Sequence, residues 1–439
     1  MEAGLYVTLH SLSKVELNGR RGELLSWDPA KERWVVELHG EGGRTSLAVR
    51  PSNNLKRADP VDPEARQRAS EKHAEAKKLL ADARASVGEG NYGYAAIIDA
   101  SHPQVRRAAE LLDEAEREDF GFSGLHHARG DLSTMVGDPF AVRARHWRRA
   151  VANSSSTDPA GSIVNRRMSL ATALGQMGDA AGEIEQLRLV LKLAPGCLHA
   201  RYALGTALES LQRFDDAFPE LMMAVQLPNE GMYVTPDELE PKLRGMARDA
   251  LNRVATTRAG LAACTLCDDG VRRSVEMLRS VLAFSWLSAA SRAHALCSQA
   301  ANYALLGEFD ESRAKLAEVE ALAPEGVQLR WYFLQTRSKC NEIEADALPE
   351  GDARKNALYT EAKSLVEHAN TLLDDPQDHD AHRRLQTKLS PYMEFVADGK
   401  RLFSGFARVR QGAPEAGVSL DPLPRGPPLP PGEERWKGL

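Results

Sequence analysis

The chain repeats a pattern of small, apolar and aromatic residues with a period of 34 residues, and no other feature restricts its fold as strongly. The pair Leu170-Ala171 recurs 34 residues later as Leu204-Gly205. The segment Leu211-Gln-Arg-Phe-Asp-Asp-Ala217 has a close counterpart in Leu306-Gly-Glu-Phe-Asp-Glu-Ser312. Apolar residues around these segments have helical spacing, so each period predicts a pair of antiparallel helices that must stack on its neighbours to bury its apolar faces.

Three units of this length align, and they begin at Val164, Leu198 and Ala293. Each unit has a small residue at position 8, a leucine at position 24 and a proline at position 31 or 32. The small residue lets the paired helices approach closely, and the proline ends the second helix before the next unit begins. The residues concerned are Ala171, Gly205 and Ala300; Leu187, Leu221 and Leu316; and Pro195, Pro228 and Pro324.

This pattern resembles the tetratricopeptide repeat (TPR) family. The resemblance implies a mainly α fold, a TPR-like right-handed α-solenoid, in which Gly205 and Ala217 face each other within one unit. Degenerate units are expected around residues 124–155, 255–286 and 327–375, with an insertion over 229–241. A terminal helix over residues 382–409 is expected to cover the last interface of the stack.

Residues 5–57 differ from the rest, because short segments of β-forming residues alternate there with turn residues. Strands are predicted at residues 5–9, 15–17, 22–27, 33–38 and 46–50. Strands this short bury an apolar face only if the sheet curls into a small barrel. The pattern resembles the small barrels of the KOW, Tudor and SH3-like group, through Leu17-Asn-Gly-Arg-Arg-Gly-Glu-Leu24, Trp27-Asp28, Arg33-Trp-Val-Val36 and Val49-Arg-Pro51.

Barrels of this group bind peptides, modified side chains or nucleic acid in different families. Tyr6, Trp27 and Trp34 offer a binding surface, but aromatic residues in so small a barrel more often belong to its core, and core packing is the expectation here. Residues 1–57 contain nine Lys and Arg against seven Asp and Glu. A nucleic-acid module usually has a concentrated basic face, so this near-neutral count does not favour nucleic acid as a partner.

The sequence therefore divides into four regions: a small SH3/KOW/Tudor-like β-barrel (1–58), a helical linker region (59–123), a TPR-like helical repeat domain (124–410) and a proline-rich tail (411–439). The many prolines of the tail prevent helix formation and favour a disordered segment. Within it, Arg425, Pro428 and Pro431 have the spacing of a ligand for proline-recognising domains.

Composition excludes several classes of protein. The apolar fraction of 43% and the charged fraction of 27% are those of a soluble folded protein. A formal net charge of −6 provides no general attraction to nucleic acid or acidic membranes. The sequence has no apolar run long enough to span a bilayer, and its five cysteines, an odd number, suit a reducing compartment. A cytoplasmic protein is predicted, with the nucleus as the alternative.

The strongest candidate for metal chemistry is the set Cys264, Cys267, His294 and Cys297, which has zinc-like spacing. In the repeat register these residues belong to neighbouring helices, and cysteine commonly packs as a small apolar residue. Packing is therefore the preferred interpretation, with Cys297 at least partly facing the groove. No phosphate-binding loop, nucleophile elbow or zinc-protease motif occurs, so neither an enzyme nor a cofactor is predicted.

The resemblance to TPR proteins implies a groove lined by the first helix of each unit. At its groove-facing positions this chain has Asn165, Met168, Thr172, Gln176, His199, Tyr202, Thr206 and Glu209, which we call the groove residues. The family's clamp for acidic chaperone C-termini needs Lys and Asn where this chain has Met168, Thr172 and Ala203. The sequence thus predicts a non-enzymatic scaffold or adaptor that holds a peptide or helix in the groove. The alternative is a nucleic-acid-associated factor recruited through the barrel.

Overall fold

The computed structural model describes residues 1, 3–38, 45–57, 62–87, 97–155, 158–228, 239–265, 268–322 and 326–372. Packing divides the chain into two compact units, residues 1–255 and 256–439. The division of the chain into four regions, as the sequence predicts it, stays a prediction.

Five antiparallel strands form one curled sheet at the N-terminus, in the order β4-β3-β2-β1-β5. Its inner face buries an apolar core that includes Val7, Leu24, Val36 and Leu38. The alternation of apolar and polar residues in β3 puts Val36 and Leu38 in this core. The strands are β1 (Tyr6–Leu9), β2 (Arg21–Asp28), β3 (Arg33–Leu38), β4 (Thr45–Val49) and β5 (Leu55–Arg57).

The predicted strand at residues 15–17 is wrong, because Val15–Leu17 is a short 3-10 helix. Its Val15 side chain is exposed. The Asn18 carboxamide accepts a hydrogen bond from the Leu12 N–H (2.8 Å) and donates one to the Leu12 carbonyl (3.1 Å). This pair of bonds closes residues 12–18 into a tight loop, which leaves no extended backbone to pair as a strand. The sheet's membership of the KOW, Tudor or SH3-like group stays a prediction.

Fifteen α-helices occur among the described residues, in agreement with the mainly α prediction. They are α1 (Pro51–Asn54), α2 (Pro63–Val87), α3 (Pro103–Glu118), α4 (Ser123–Met135), α5 (Phe140–Ala152), α6 (Ala160–Gln176), α7 (Ala180–Leu193), α8 (Leu198–Ser210), α9 (Phe214–Gln226), α10 (Glu240–Thr265), α11 (Asp268–Leu282), α12 (Ala289–Leu305), α13 (Phe309–Ala321), α14 (Val327–Ala347) and α15 (Ala353–Thr371).

Consecutive helices pack as pairs, and the three aligned units are the pairs α6–α7, α8–α9 and α12–α13. The pairs α2–α3, α4–α5 and α14–α15 pack in the same sequential way. Short turns join the two helices of each aligned unit, and short turns make neighbouring helices antiparallel.

One backbone hydrogen bond recurs at the turn inside the pairs and fixes the repeat register. The backbone N–H just before the second helix donates to the carbonyl five residues earlier. A bond of this kind ends an α-helix at a residue with left-handed backbone angles. The bond measures 2.9 Å in each of four pairs: Asp138 to Ser133, Asp179 to Leu174, Arg213 to Leu208 and Glu308 to Tyr303. Three of these match the aligned units, and the fourth identifies α4–α5 as a unit that begins at Ser123.

The small residue at position 8 has the packing role that the sequence predicts. A Cβ atom on Gly205 would lie 2.5 Å from Cγ of Leu221, so only glycine fits there. The predicted partner of Gly205 was Ala217, whereas its nearest side chain is Leu221, one turn further along α9. Ala217 is itself fully buried.

The sheet packs directly on α5, through a buried ion pair. The guanidinium of Arg149 donates from Nε to Oε1 of Glu23 (2.8 Å) and from Nη2 to Oε2 (2.6 Å). Glu23 is 3% exposed and Arg149 is 7% exposed. A buried charge pair needs this bidentate geometry to offset the cost of desolvation.

Backbone contacts reinforce the same junction. Oδ1 of Asn153 accepts a hydrogen bond from the Tyr6 N–H (3.0 Å), and Nδ2 donates to the Gly4 carbonyl (2.9 Å). Gly4 has a left-handed φ of 90°, and a Cβ there would lie 3.0 Å from the Arg149 nitrogen. The orientation of the sheet on α5 is therefore set by specific contacts, not by a flexible connection.

Candidate partner-binding face

The groove residues of α6 lie on its solvent side, with one exception. Asn165, Thr172 and Gln176 are exposed, whereas Met168 is 6% exposed. The opposite side of α6 contributes Leu170 to a buried cluster, which leaves the polar residues outside. A polar row thus runs along α6 beside the buried Met168 side chain.

The groove residues of α8 are partly buried. They are His199, Tyr202, Thr206 and Glu209, and all lie within one 13-residue helix. Burial lowers the pKa of His199 and raises the pKa of Tyr202. Both side chains are therefore uncharged at neutral pH, and they combine apolar rings with hydrogen-bonding atoms.

Helix α10 reaches this same face of α8 through an ion pair that the sequence did not reveal. Arg253 donates to both carboxylate oxygens of Glu209, at 2.5 Å from Nε and 2.7 Å from Nη2. The Glu209 hydrogen bond raises the pKa of Arg253. Tyr202 and Asp249 also lie close enough to Arg253 to interact with it electrostatically. The Glu209 carboxylate is thus already paired with an arginine of the same chain.

A sequence signal for Asp249 and Arg253 did exist. The two residues are four apart on a helix, the spacing at which opposite charges share one helical face. No 34-residue unit aligns over this stretch, so the repeat register does not predict which face of α10 meets α8. The contribution of α10 comes from tertiary packing alone.

Two members of the candidate metal set, His294 and Cys297, have described side chains. Cys297, which was predicted to face the groove at least in part, is fully buried because α14 packs over α12. Burial raises the pKa of the Cys297 thiol to about 12. The side chains of Cys264 and Cys267 lie outside the described residues. Within the part of the chain that is described, no group of three or more His, Cys, Asp and Glu residues could hold a metal ion.

The three aromatic residues of the sheet divide between core and surface. Tyr6 and Trp34 are buried, as expected, and the Tyr6 ring packs 4.5 Å from the ring of Phe120. Trp27 is 41% exposed, at a centroid distance of 5.6 Å from Trp34. The core interpretation is thus correct for two of the three residues.

The second compact unit, residues 256–439, contains a cavity of about 280 Å³ between α11, α12 and α13. Its cations are already used within the protein. Arg279 donates to the Tyr303 hydroxyl (3.1 Å), Arg292 donates to the carbonyls of Leu282 and Phe284, and Lys315 pairs with Glu318 (2.6 Å). Charged groups that satisfy each other leave no set aimed at a ligand.

Comparisons with known proteins give structural likenesses alone. No protein-family model matches the chain, and no curated protein matches it. The chain is similar to the crystal structure of YrrB, described as a TPR protein with an unusual peptide-binding site (16% identity, TM-score 0.30), over 42% of this chain and 79% of that one. It is also similar to a TPR protein from Parabacteroides merdae (13% identity, TM-score 0.32), over 70% of this chain and 98% of that one.

The helical region has a TPR-like fold of sequentially packed helix pairs. At TM-scores this low the likenesses carry no functional argument, so that description rests on the helix pairs, the recurrent turn bond and the close contact at Gly205. No helix among the described residues has the length and apolar character needed to cross a membrane. The proline-rich tail, with Arg425, Pro428 and Pro431, lies outside the described residues.

Proposed function

We propose that this protein is a non-enzymatic scaffold that holds a peptide or helix of another protein against the groove residues of α6 and α8. The observation that supports this most strongly is the row of exposed and half-buried polar side chains on two consecutive first helices of the same register. Peptide-binding helical grooves combine partly buried apolar anchors with such hydrogen-bonding groups. Tyr202, which is half-buried on α8, would serve as such an anchor.

The sheet offers less support for the alternative, a factor recruited to nucleic acid. Tyr6 and Trp34 are buried, so of the three aromatic residues of the sheet only Trp27, which is 41% exposed, offers a face on which a base could stack. In this proposal the sheet is a module of the SH3-like type, and its role is to extend the compact unit of residues 1–255. The free and buried thiols of Cys197, Cys297 and Cys340 suit a reducing compartment such as the cytoplasm.

Site-specific photo-crosslinking in the full-length protein tests the proposal. A photo-reactive residue at the exposed position Thr172 of α6 should capture a polypeptide in cells. The same residue at Glu185, exposed on α7, is the matched control and should capture little. Equal capture at both positions, or no polypeptide at Thr172, would contradict binding at the groove residues.

A further inference from the structure

The N-terminal sheet ends in two edge strands, β4 and β5, and only β5 has features that discourage further pairing. β5 is three residues long and includes Lys56, which is exposed, and Arg57. Short length and charged residues, above all lysine, are common means by which an edge strand avoids another strand. β4 is five residues long, reads Thr45-Ser-Leu-Ala-Val49, and contains neither a charge nor a proline. Its sequence therefore leaves the edge open to pairing.

The side of β4 that faces away from β3, which we call the β4 edge, has unpaired backbone groups. β4 pairs with β3 over all of Thr45–Val49. Antiparallel pairing uses the backbone groups of alternate residues, so the other groups point away from β3. Among the described residues, no backbone hydrogen bond reaches the β4 edge. A row of N–H and C=O groups with this spacing matches the backbone of another extended polypeptide.

The buried face of the sheet ends at β4 with a residue that is only half covered. Leu24, Val36 and Leu47 are paired across β2, β3 and β4 and pack in the core of the sheet. Leu24 and Val36 are fully buried, whereas Leu47 is half-buried. A strand added at the β4 edge would place a side chain about 5 Å from Leu47, and an apolar one would complete the row. On the other face of β4, Ser46 and Ala48 are small and exposed, so they leave room for a neighbour.

A positive charge without an opposite partner stands at the end of β4. Arg50 continues the extended backbone, with φ of −74° and ψ of 139°. Its side chain is exposed and forms no ion pair among the described residues. At the same end of the sheet, Asp28 pairs with Lys31 (3.3 Å), and Glu32 is balanced in charge by its neighbour Arg33. An acidic residue on an added strand would therefore find a cation at Arg50.

We propose that the β4 edge binds an extended segment of another protein, as a sixth strand with an apolar residue beside Leu47 and an acidic residue beside Arg50. A second copy of this chain is a poorer match. Arg44 and Arg50 flank β4, so an antiparallel copy centred on Leu47 would oppose arginine to arginine, and like charges opposite each other destabilise a strand pair. The β4 edge includes none of the groove residues, so this binding is independent of the function proposed above.

Calorimetry with the full-length protein and the peptide Glu-Val-Thr-Val-Thr-Val-Glu tests this inference. When the central valine lies beside Leu47, the two glutamates, three residues away on either side, lie beside the flanking arginines. The control peptide carries a methyl group on every interior backbone nitrogen, so it keeps the side chains and loses the donors. It should bind at least about tenfold more weakly, because it cannot donate the backbone hydrogen bonds of a strand.

Two charge-reversed variants locate the binding site. Arg50→Glu should weaken the glutamate peptide by about fivefold and should favour the version that has lysine at both ends. Lys56→Glu, on the opposite edge strand β5, is the matched control because Lys56 is also an exposed cation of the sheet, and it should change neither affinity.

Each contrary result has a distinct meaning. No binding of the glutamate peptide, or equal binding of its methylated form, would overturn strand addition. Equal weakening by Arg50→Glu and Lys56→Glu would overturn the placement at the β4 edge. Sedimentation of the protein alone covers the remaining occupant: a dimer that dissociates in the variant Leu47→Thr would show that the edge holds a second copy instead.

Discussion

Gln212 is a residue under local backbone strain, at a turn position where three other units have glycine. Its φ is 58°, and the corresponding Gly137, Gly178 and Gly307 have φ of 78°, 80° and 77°. A side chain in this left-handed region costs about 1–2 kcal/mol, of which glycine avoids the larger part. The repeat thus tolerates a deviation at one turn because the surrounding helices hold it in place.

Replacing Gln212 with glycine should therefore stabilise the protein by about 1 kcal/mol. The matched change is Gly178→Gln, which should destabilise the protein by a similar amount. A Cβ at this position meets no atom within 4 Å, so only the cost of the left-handed backbone remains. Urea denaturation of both variants measures the difference. Midpoints that both stay unchanged would contradict a backbone cost at these two turns.

Glu183 is a second residue that lowers the stability of the folded protein, in this case when its carboxyl is ionised. Burial raises the pKa of its carboxyl to about 7, and the carboxyl occupies the space above Gly175, where a Cβ would lie 2.5 Å from Oε2. A raised folded pKa means that stability is fully present below the unfolded value of about 4.3 and is lost as the pH rises through about 7. The ionised form is therefore the unfavourable one.

The isosteric change Glu183→Gln should raise the free energy of unfolding at pH 8 by about 1 kcal/mol, since solvent screens this half-buried group. At pH 4 the two proteins should be equally stable. Denaturation curves at both pH values provide the comparison. A stabilisation that is the same at pH 4 and pH 8 would point to packing, not to titration.

At the scale of elements, the junction between the sheet and α5 contains the buried Glu23–Arg149 ion pair and the hydrogen bonds of Asn153. Arg149→Met leaves the Glu23 carboxylate buried without a partner, so it should cost about 3–5 kcal/mol. The neighbouring Arg148→Met is the control, because Arg148 is exposed and has no partner among the described residues. Thermal denaturation of the full-length variants measures both changes.

The double variant Glu23→Leu/Arg149→Met should recover much of the loss, because neither buried charge then remains. If Arg149→Met were as mild as Arg148→Met, the sheet would not depend on this pair for its attachment. The domain prediction from the sequence did not include this contact. A barrel motif and a helical motif can each be read locally, but the Glu23–Arg149 pair joins residues 126 positions apart.

Helices α2 to α5 also contain a buried histidine, His126, and two half-buried ones, His73 and His146. Burial, together with nearby cations, lowers the pKa of His73 and of His146 to about 4, and burial also lowers the pKa of His126. A depressed folded pKa makes the unfolded chain bind more protons below its own value of about 6.5. Stability is therefore present above that pH and falls as the pH drops towards 4.

The compact unit of residues 1–255 should accordingly unfold at a lower urea concentration at pH 5 than at pH 7.5. Substituting His73 with Gln, which cannot ionise, should reduce the difference between the two pH values. Residues near His73 that set its pKa are Lys77, His127 and Arg166, and they remain unchanged in this variant. A stability that is flat between pH 5 and 7.5 would contradict the neutral, buried state of these imidazoles.

At the scale of the whole molecule, the sequence predicts what repeats and misses what does not. Small residues such as Gly205 and turn glycines such as Gly178 recur at fixed positions, and the helix pairs follow from them. The Arg253–Glu209 pair and the complete burial of Cys297 depend on which helix packs over another. No local pattern encodes that choice, so the polar edge of the binding face could be found only in the structure.

The most direct test of the central claim is hydrogen exchange of the full-length protein with and without the segment captured at Thr172. We predict slower exchange in peptides that cover α6 and α8, with α7 and α9 unchanged, because the partner contacts the first helices of the two units. Protection confined to α7 and α9, or to the N-terminal sheet, would contradict the account.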